Sequence, residues 1–536
     1  MPTHYERLSF LDSTFLAMEG RENPMHVGGT LVFEGAGLRL PDGGVDIERI
    51  RAFIEARLQY IPRYRQRLQW IPVERHPVWV DDEHFDLTYH VRHTALPAPG
   101  GMEQLRALAG RVYSQRMDRT RPLWEIWVVE GLQDDRVALV TKVHHCMIDG
   151  LSGVDLLKVT LSPIPDATIG EPDVFEPRPS PSPSQLFVDE AKRRVKMPLD
   201  ATRSVAHFVE SSKDVAEEVR YRINAMLHSM RSGWLSNASL TPINQTIGPN
   251  RRIDFLETDL DRVKAVKNAL GGTVNDVVIA VVAGAVRSFL GEDRGVDVDE
   301  LDFRVMVPVS TRDEDQSDEL GNQVTMWLID LPVAEPDPVK RLAAVRQSTA
   351  HLKETHQALG AAMLTQSASW TPGTLLSVAA RVASVTIRPF NMTVTNVPGP
   401  QIPLYLMGAR MVANYPMVPL WVNHGIGVAL FSYDGKMHWG VNSDWDLVPD
   451  LHRFTERLTG ALEELEAAAA PKPPRRRRTS TAKPPTKGKA APKAKASAQR
   501  TGAAKTATAA KTTAVRKAAT ADAGKASTNG GSSRSA

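Results

Sequence analysis

The sequence predicts an α/β protein built in two successive parts, followed by a basic tail without fixed structure. Three observations carry this expectation. Strand-like apolar runs alternate with helix-period stretches before residue 160 and again after Arg252. A proline-rich run, PIPDATIGEPDVFEPRPSPSPS at 163–184, separates the two parts. From Pro471 onward the chain is mostly Ala, Lys, Arg, Thr, Pro, Ser and Gly, with no aromatic residue. The expected boundaries are a first domain at 1–185, a helical or irregular connector at 186–245, a second domain at 246–470 and a disordered tail at 471–536.

Within the first part, GGTLVFEG reads as a strand. Ile47, Ile50, Phe53, Ile54 and Leu58 repeat at helical spacing, so Ile47 to Leu58 reads as a helix. PVWVDDEHFDLTYHVRH then alternates strand and turn, and Leu105 to Met117 is helical. LWEIWVVEGL and RVALVTKVHH form a strand pair around GLQDD. Residues 186–235 read as long, mostly polar helix.

The second part opens with FLETDLDRVKAVKNALGGTVND. It continues through strands at FRVMVPVS, VTMWLIDLP, NMTVTNV, GIGVALFSYDG and KMHWGVNSD. Leu451 to Ala468 closes it as an amphipathic helix. The longest apolar run, Val277 to Val286, is shorter than the roughly 20 residues needed to span a bilayer and reads as a buried helix. Thr273 and Asp276, three apart, resemble a capping box at its start.

Charge divides the same way. The whole chain carries a formal +3, but residues 471–536 hold 17 Lys and Arg against the single acid Asp522. The remainder, with 48 basic and 61 acidic residues, stands at about −13. The start, MPTHYERLSF, has no charged segment followed by an apolar run, so no secretory signal is expected. The lone Cys146 permits no intrachain disulfide and fits a reducing cytoplasm. The expectation is a cytoplasmic protein, at most peripherally bound to membrane or lipid inclusions.

The stretch most informative about chemistry is TKVHHCMIDGLSG at 141–153. A strand through Leu139, Val140, Thr141 and Val143 delivers two histidines to a turn at the rim of a sheet. An imidazole titrates near neutrality, so it can take a proton from a hydroxyl and return it to a leaving group. Strand alternation would point His144 and His145 to opposite faces, leaving one of them structural. Asp149 is placed to brace the turn or to cap a helix in LSGVDLLKVTL. Cys146 would point away from His145, which argues against a Cys–His nucleophile. CxxC spacing is excluded, and no HExxH or comparable cluster appears, so no metal is expected.

His144-His145-Cys146-Met147-Ile148-Asp149-Gly150 resembles the HHxxxDG motif of the CoA-dependent acyltransferase superfamily. Further stretches narrow the resemblance to the bacterial wax ester synthase/diacylglycerol acyltransferase family. They are LSFLDSTFLAMEG with PMHVG, RPLWEIWVVEGL, TVNDVVIAVVAGAVR, MVPVSTR, LGNQVTMW, NVPGP and SYDGKMHWGVNSD. They stand in family order over roughly residues 5–466. The resemblance implies two chloramphenicol-acetyltransferase-like domains side by side, with a tunnel between them.

It also implies an acyl-CoA-dependent O-acyltransferase that makes triacylglycerol from diacylglycerol and long-chain acyl-CoA. The alternatives are a wax ester synthase using a long-chain fatty alcohol, or a condensation-type acyltransferase on other acceptors. His145 would be the general base, His144 a supporting residue and Asp149 a structural support. Acyl-CoA is a co-substrate, and no cofactor is called for. Gly150, Asn275 and Asn396 are candidates for binding substrate or the oxyanion. Leu123, Trp124 and Asp276 read better as structural residues. Arg304 and Arg312 offer cations for Asp149 or the CoA phosphates. No G-x-S-x-G elbow is present, which favours direct transfer without an acyl-enzyme. The basic tail suits an anionic membrane or lipid droplet, with nucleic acid as the rival polyanion.

Overall fold

The structure, a computed structural model, describes residues 4–147, 159–195, 236–310, 324–354 and 388–470. In chain order its strands begin with β1 (Glu6–Arg7), β2 (His26–Glu34), β3 (Gln66–Trp70), β4 (Pro77–Asp81), β5 (Val91–Ala95), β6 (Trp124–Leu132) and β7 (Arg136–His144). They continue with β8 (Arg251–Asp259), β9 (Arg304–Ser310), β10 (Val324–Asp330), β11 (Met392–Pro398), β12 (Tyr405–Leu406), β13 (Ala409–Met417), β14 (Ile426–Tyr433) and β15 (Lys436–Asp444). The helices used below are α1 (Phe10–Met18), α2 (Ile47–Leu58), α3 (Met102–Ser114), α4 (Leu260–Leu270), α5 (Val274–Gly291), α6 (Pro338–Glu354) and α7 (Leu451–Ala469).

These strands form two mixed six-stranded sheets and a small three-stranded one. The first large sheet runs β12-β13-β2-β7-β6-β5, the second β10-β9-β11-β14-β15-β8, and the small one β1-β4-β3. In the first, β7 is central, paired antiparallel to β2 from His26 opposite His144 to Glu34 opposite Arg136. Its residues are valine-, alanine- and leucine-rich because both faces are covered, and all but the first are buried. The expected pair of β6 and β7 is present, as are the α2 helix at Ile47–Leu58 and the strand at GGTLVFEG, which β2 extends back to His26. α3 begins at Met102 and ends at Ser114, three residues earlier at each end than its sequence pattern suggests.

One strand pair joins the two halves of the chain. β13 comes from the second half yet pairs with β2, Tyr415 opposite Thr30 and Met417 opposite Gly28. The other side of this strand lies against β15, so closely that a Cβ on Gly440 would sit 1.8 Å from the carbonyl oxygen of Pro416. Only glycine fits that approach.

The second half buries its own core. α5 is an 18-residue helix, longer than its apolar run alone indicates, and its mean hydropathy of 1.6 would suit a membrane span. It is instead mostly covered by α4, α6, α7 and the second sheet. The capping box forms as expected: Thr273 and Asp276 exchange backbone-to-side-chain hydrogen bonds of 2.7 and 3.1 Å. α7 presents Leu451, Phe454, Leu458, Leu462 and Leu465 to this core at helical spacing. Each such side chain contributes about 1.5–3 kcal/mol on burial.

Candidate active site

β7 ends at His144, and a single 3-10 turn, His145–Met147, follows at once. The strand alternation expected of the two histidines therefore stops before His145. Their rings nonetheless enter different surroundings. His144 is buried, its Nδ1 accepting a 3.1 Å hydrogen bond from the backbone N–H of Cys146. His145 is half-buried, and its ring stacks on Phe15 of α1 with centroids 3.8 Å apart and planes 22° apart. Its backbone N–H donates to the carbonyl of Met25 at 2.8 Å.

Sequence reasoning missed the residue that gathers these groups. Glu19, the C-cap of α1, is buried and places Oε1 3.4 Å from Nε2 of His26 and 3.6 Å from Nε2 of His144. Its Oε2 takes a forked ion pair from Arg119 at 2.6 and 3.1 Å and a second contact from Arg116 at 3.1 Å. Burial by itself would raise the Glu19 carboxyl; its contacts with His144 and His26 outweigh that and hold it far below the usual carboxylate range. The one signal for this cluster was the sequence LSFLDSTFLAMEG with PMHVG, noted for its resemblance and not assigned a role.

Burial also sets the imidazoles. Desolvation lowers His145 to about 4, with nearby His144 acting in the same direction. It lowers His26 to about 4 against the pull of Glu19, and it lowers His144 likewise. At neutral pH all three are uncharged, and His145 is a free base without help from a neighbour. Burial pushes the Cys146 thiol well up, so it stays protonated and is a poor nucleophile.

The other candidates are spread out. Asp149 and Gly150 lie outside the described residues, as does Arg312. Asn275 is half-buried in the first turn of α5, with no hydrogen bond or ring contact to the histidines. Asp276 is a cap, and Thr349 donates to its second oxygen at 2.7 Å. Leu123 and Trp124 are fully buried core residues; the Trp124 indole donates to the carbonyl of Tyr64 at 2.8 Å. Arg304 is engaged by Asp302 and by Asp330 at 3.3 Å, so it is not a spare cation.

Asn396 sits on β11, half-buried, with its Oδ1 shut away from solvent. The first residues of the NVPGP stretch continue the strand through Pro398, opposite Ser432 of β14. Gly399 follows, where a Cβ would meet Phe431 at 2.3 Å. Among the described residues no group of three His, Cys, Asp or Glu could hold a metal ion.

Beside His145 an apolar wall leads into the second half. Phe15 faces Trp421 at 6.3 Å, and Trp421 meets Phe390 edge-on at 6.1 Å. Met306 and Leu328 pack with Phe390, and Met326 lies against them. A neutral imidazole at a sheet rim, with apolar surface leading away from it, is the equipment of an acyl-transfer site.

Fold and site together define a CoA-dependent acyltransferase of the two-domain, chloramphenicol-acetyltransferase-like class. A starter condensation domain of rhizomide synthetase shares this fold at 12% identity, with a TM-score of 0.54 over 87% of this chain and 94% of its own. The chain matches the wax ester synthase/diacylglycerol acyltransferase catalytic domain over residues 8–278 and the family's C-terminal domain over 320–466. It belongs to the wax ester synthase/diacylglycerol acyltransferase family. A Mycobacterium tuberculosis protein named "Putative diacyglycerol O-acyltransferase" is 34% identical over 474 residues, covering 86% of this chain and 90% of that one. The O-acyltransferase WSD of Acinetobacter baylyi is 28% identical, covering 86% and 97%. A wax ester synthase/diacylglycerol acyltransferase from Marinobacter aquaeolei superposes with a TM-score of 0.59 at 28% identity, over 86% of this chain and 99% of that chain.

Proposed function

We propose that the protein transfers the acyl group of a long-chain acyl-CoA to the free hydroxyl of diacylglycerol, forming triacylglycerol. The observation that carries this reading is the neutral His145 imidazole held between Phe15 and the turn, next to an apolar wall. An alcohol is too weak an acid to ionise beforehand. Nε2 of His145 therefore takes the hydroxyl proton as the oxygen attacks the thioester carbonyl. The C–O bond forms, the C–S bond breaks, and the same nitrogen returns the proton to the departing CoA thiolate. A base so placed contributes about 10²–10⁴-fold to the rate. His144 supports the turn, Asp149 is the candidate for its structural support, and Gly150, Asn275 and Asn396 are the candidates for the oxyanion and substrate contacts.

The apolar wall serves a long-chain alcohol equally well, and the family's name covers both products. Wax ester synthesis is therefore the second reading. Purified protein incubated with labelled palmitoyl-CoA, diacylglycerol and hexadecanol, followed by lipid chromatography, tests both. Turnover of diacylglycerol supports the first reading, and exclusive use of hexadecanol the second. An acyl-carrier thioester accepted in place of acyl-CoA would point instead to condensation-type chemistry. The 17 basic residues of the tail would hold the enzyme at an anionic membrane or lipid droplet, where either acceptor dissolves.

A further inference from the structure

Glu19 reaches the catalytic turn by three routes. Through its side chain it faces Nε2 of His144 at 3.6 Å. The opposite nitrogen of that ring, Nδ1, accepts from the N–H of Cys146, one residue beyond His145. An imidazole nitrogen that accepts a hydrogen bond carries no proton, so in the neutral ring the proton is on Nε2, aimed at the Glu19 carboxylate. The second route is backbone: Met25 N–H donates to Glu19 Oε1 at 3.4 Å, and Met25 C=O accepts from His145 N–H at 2.8 Å. The third is the helix itself, since Phe15, four residues before Glu19, is the ring on which His145 stacks. Arg119 and Arg116 fix the far oxygen, and His26 shares the near one.

We infer that Glu19 is a positioning residue for acyl transfer, fixing the Nε2–H form of His144 and thereby the turn that aims His145. The inference rests on His145 being the base. Catalysis is steep in such placement: a 1 Å displacement can cost about 100-fold. A neutral N–H facing a carboxylate is favoured over the other tautomer because the reversed ring would set a lone pair against a negative charge and leave the Cys146 N–H without its acceptor.

The test compares Glu19→Met, which keeps the volume but cannot accept, with Glu19→Gln, whose amide oxygen still can. Because Glu19→Met strands Arg119, the double variant Glu19→Met/Arg119→Met is made beside it, and circular dichroism checks that each folds. Steady-state kinetics with palmitoyl-CoA are read together with nitrogen-15 spectra of histidine-labelled protein, in which His144 is assigned from a His144→Asn variant. In the folded Met variants kcat should fall about 10- to 100-fold while KM for palmitoyl-CoA moves less than about twofold, and His144 should shift toward the Nδ1–H form. Glu19→Gln should restore most of both. A Met variant that keeps kcat within about twofold, or one that loses it with the His144 signal unchanged, overturns the inference. The spectrum needs no turnover, so a wild type inactive on every acceptor would strike the proposed function and leave the His144 result readable.

Discussion

At the residue scale the consequence of burial is that His145 needs no partner to be a base. With its pKa lowered to about 4, it is neutral throughout the range in which the enzyme would work. Kinetically, kcat/KM should show no acid limb between about pH 5.5 and 8, whereas a base with an ordinary imidazole pKa near 6.5 would show one. A limb centred near 6.5 in a pH–rate profile would contradict the assignment. His145→Ala should abolish ester formation, by at least the roughly 10²-fold expected of a general base, without unfolding the protein. Equal lipid product from wild type and variant would remove His145 from the mechanism. Cys146→Ala should keep most activity, because a buried, protonated thiol forms no acyl-enzyme. An acyl adduct on Cys146 seen by mass spectrometry would reverse that conclusion. What the sequence made legible here was the histidine pair delivered to a turn at the end of β7. Glu19 stayed hidden because it lies 125 residues from His144 in the chain, and spacing says nothing about a contact of that kind.

Among the elements, α5 decides between structural and chemical readings of the VND signature. Asp276 spends one carboxylate oxygen on Thr273 and the other on Thr349, joining α5 to α6. Thr273→Ala removes the hydroxyl that caps Asp276 N–H and should cost about 0.5–2 kcal/mol of stability. Thermal melts should show that loss, with kcat per folded enzyme unchanged. A fall in kcat without a fall in melting temperature would place the helix start in the chemistry after all. The capping box was readable in advance because its whole signal fits within four residues. β13 was not. Met411, Ala413, Tyr415 and Met417 do alternate into the core, but Val412 and Pro416 interrupt the pattern, and its partner β2 is some 380 residues away. Local periodicity cannot identify such a strand, and it is the strand that ties the two halves together.

For the molecule as a whole, the buried and half-buried histidines act as a group. His26, His76, His90, His145 and His438 are each lowered to about 4, in every case chiefly by burial. In the unfolded chain they would titrate near 6.5. The unfolded state therefore binds more protons between these values, and stability present above about pH 6.5 is lost as the pH falls toward 4. The melting temperature should drop steadily over that interval, with more than one proton taken up on unfolding. A pH-independent melting temperature between about 4.5 and 7 would show that these rings are not buried neutral.

The charge asymmetry of the chain supplies the last test at this scale. Residues 471–536 carry 17 basic side chains and one acid, while the rest stands at about −13. An anionic surface attracts the first and repels the second, so the tail is the part able to reverse the sign of the encounter. Each basic residue near such a surface contributes about 1 kcal/mol, and that attraction falls off within a Debye length of about 8–10 Å at physiological salt. None of these residues belongs to the matched domains, which end at 466. Deleting 471–536 should therefore leave turnover of dispersed substrate nearly unchanged, while sedimentation with phosphatidylserine vesicles falls sharply at low salt. At high salt the full-length and truncated proteins should sediment alike, because screening removes what the tail supplied. Equal sedimentation at low salt would take the membrane role from the tail. Loss of DNA binding on truncation, with vesicle binding intact, would assign the tail to nucleic acid.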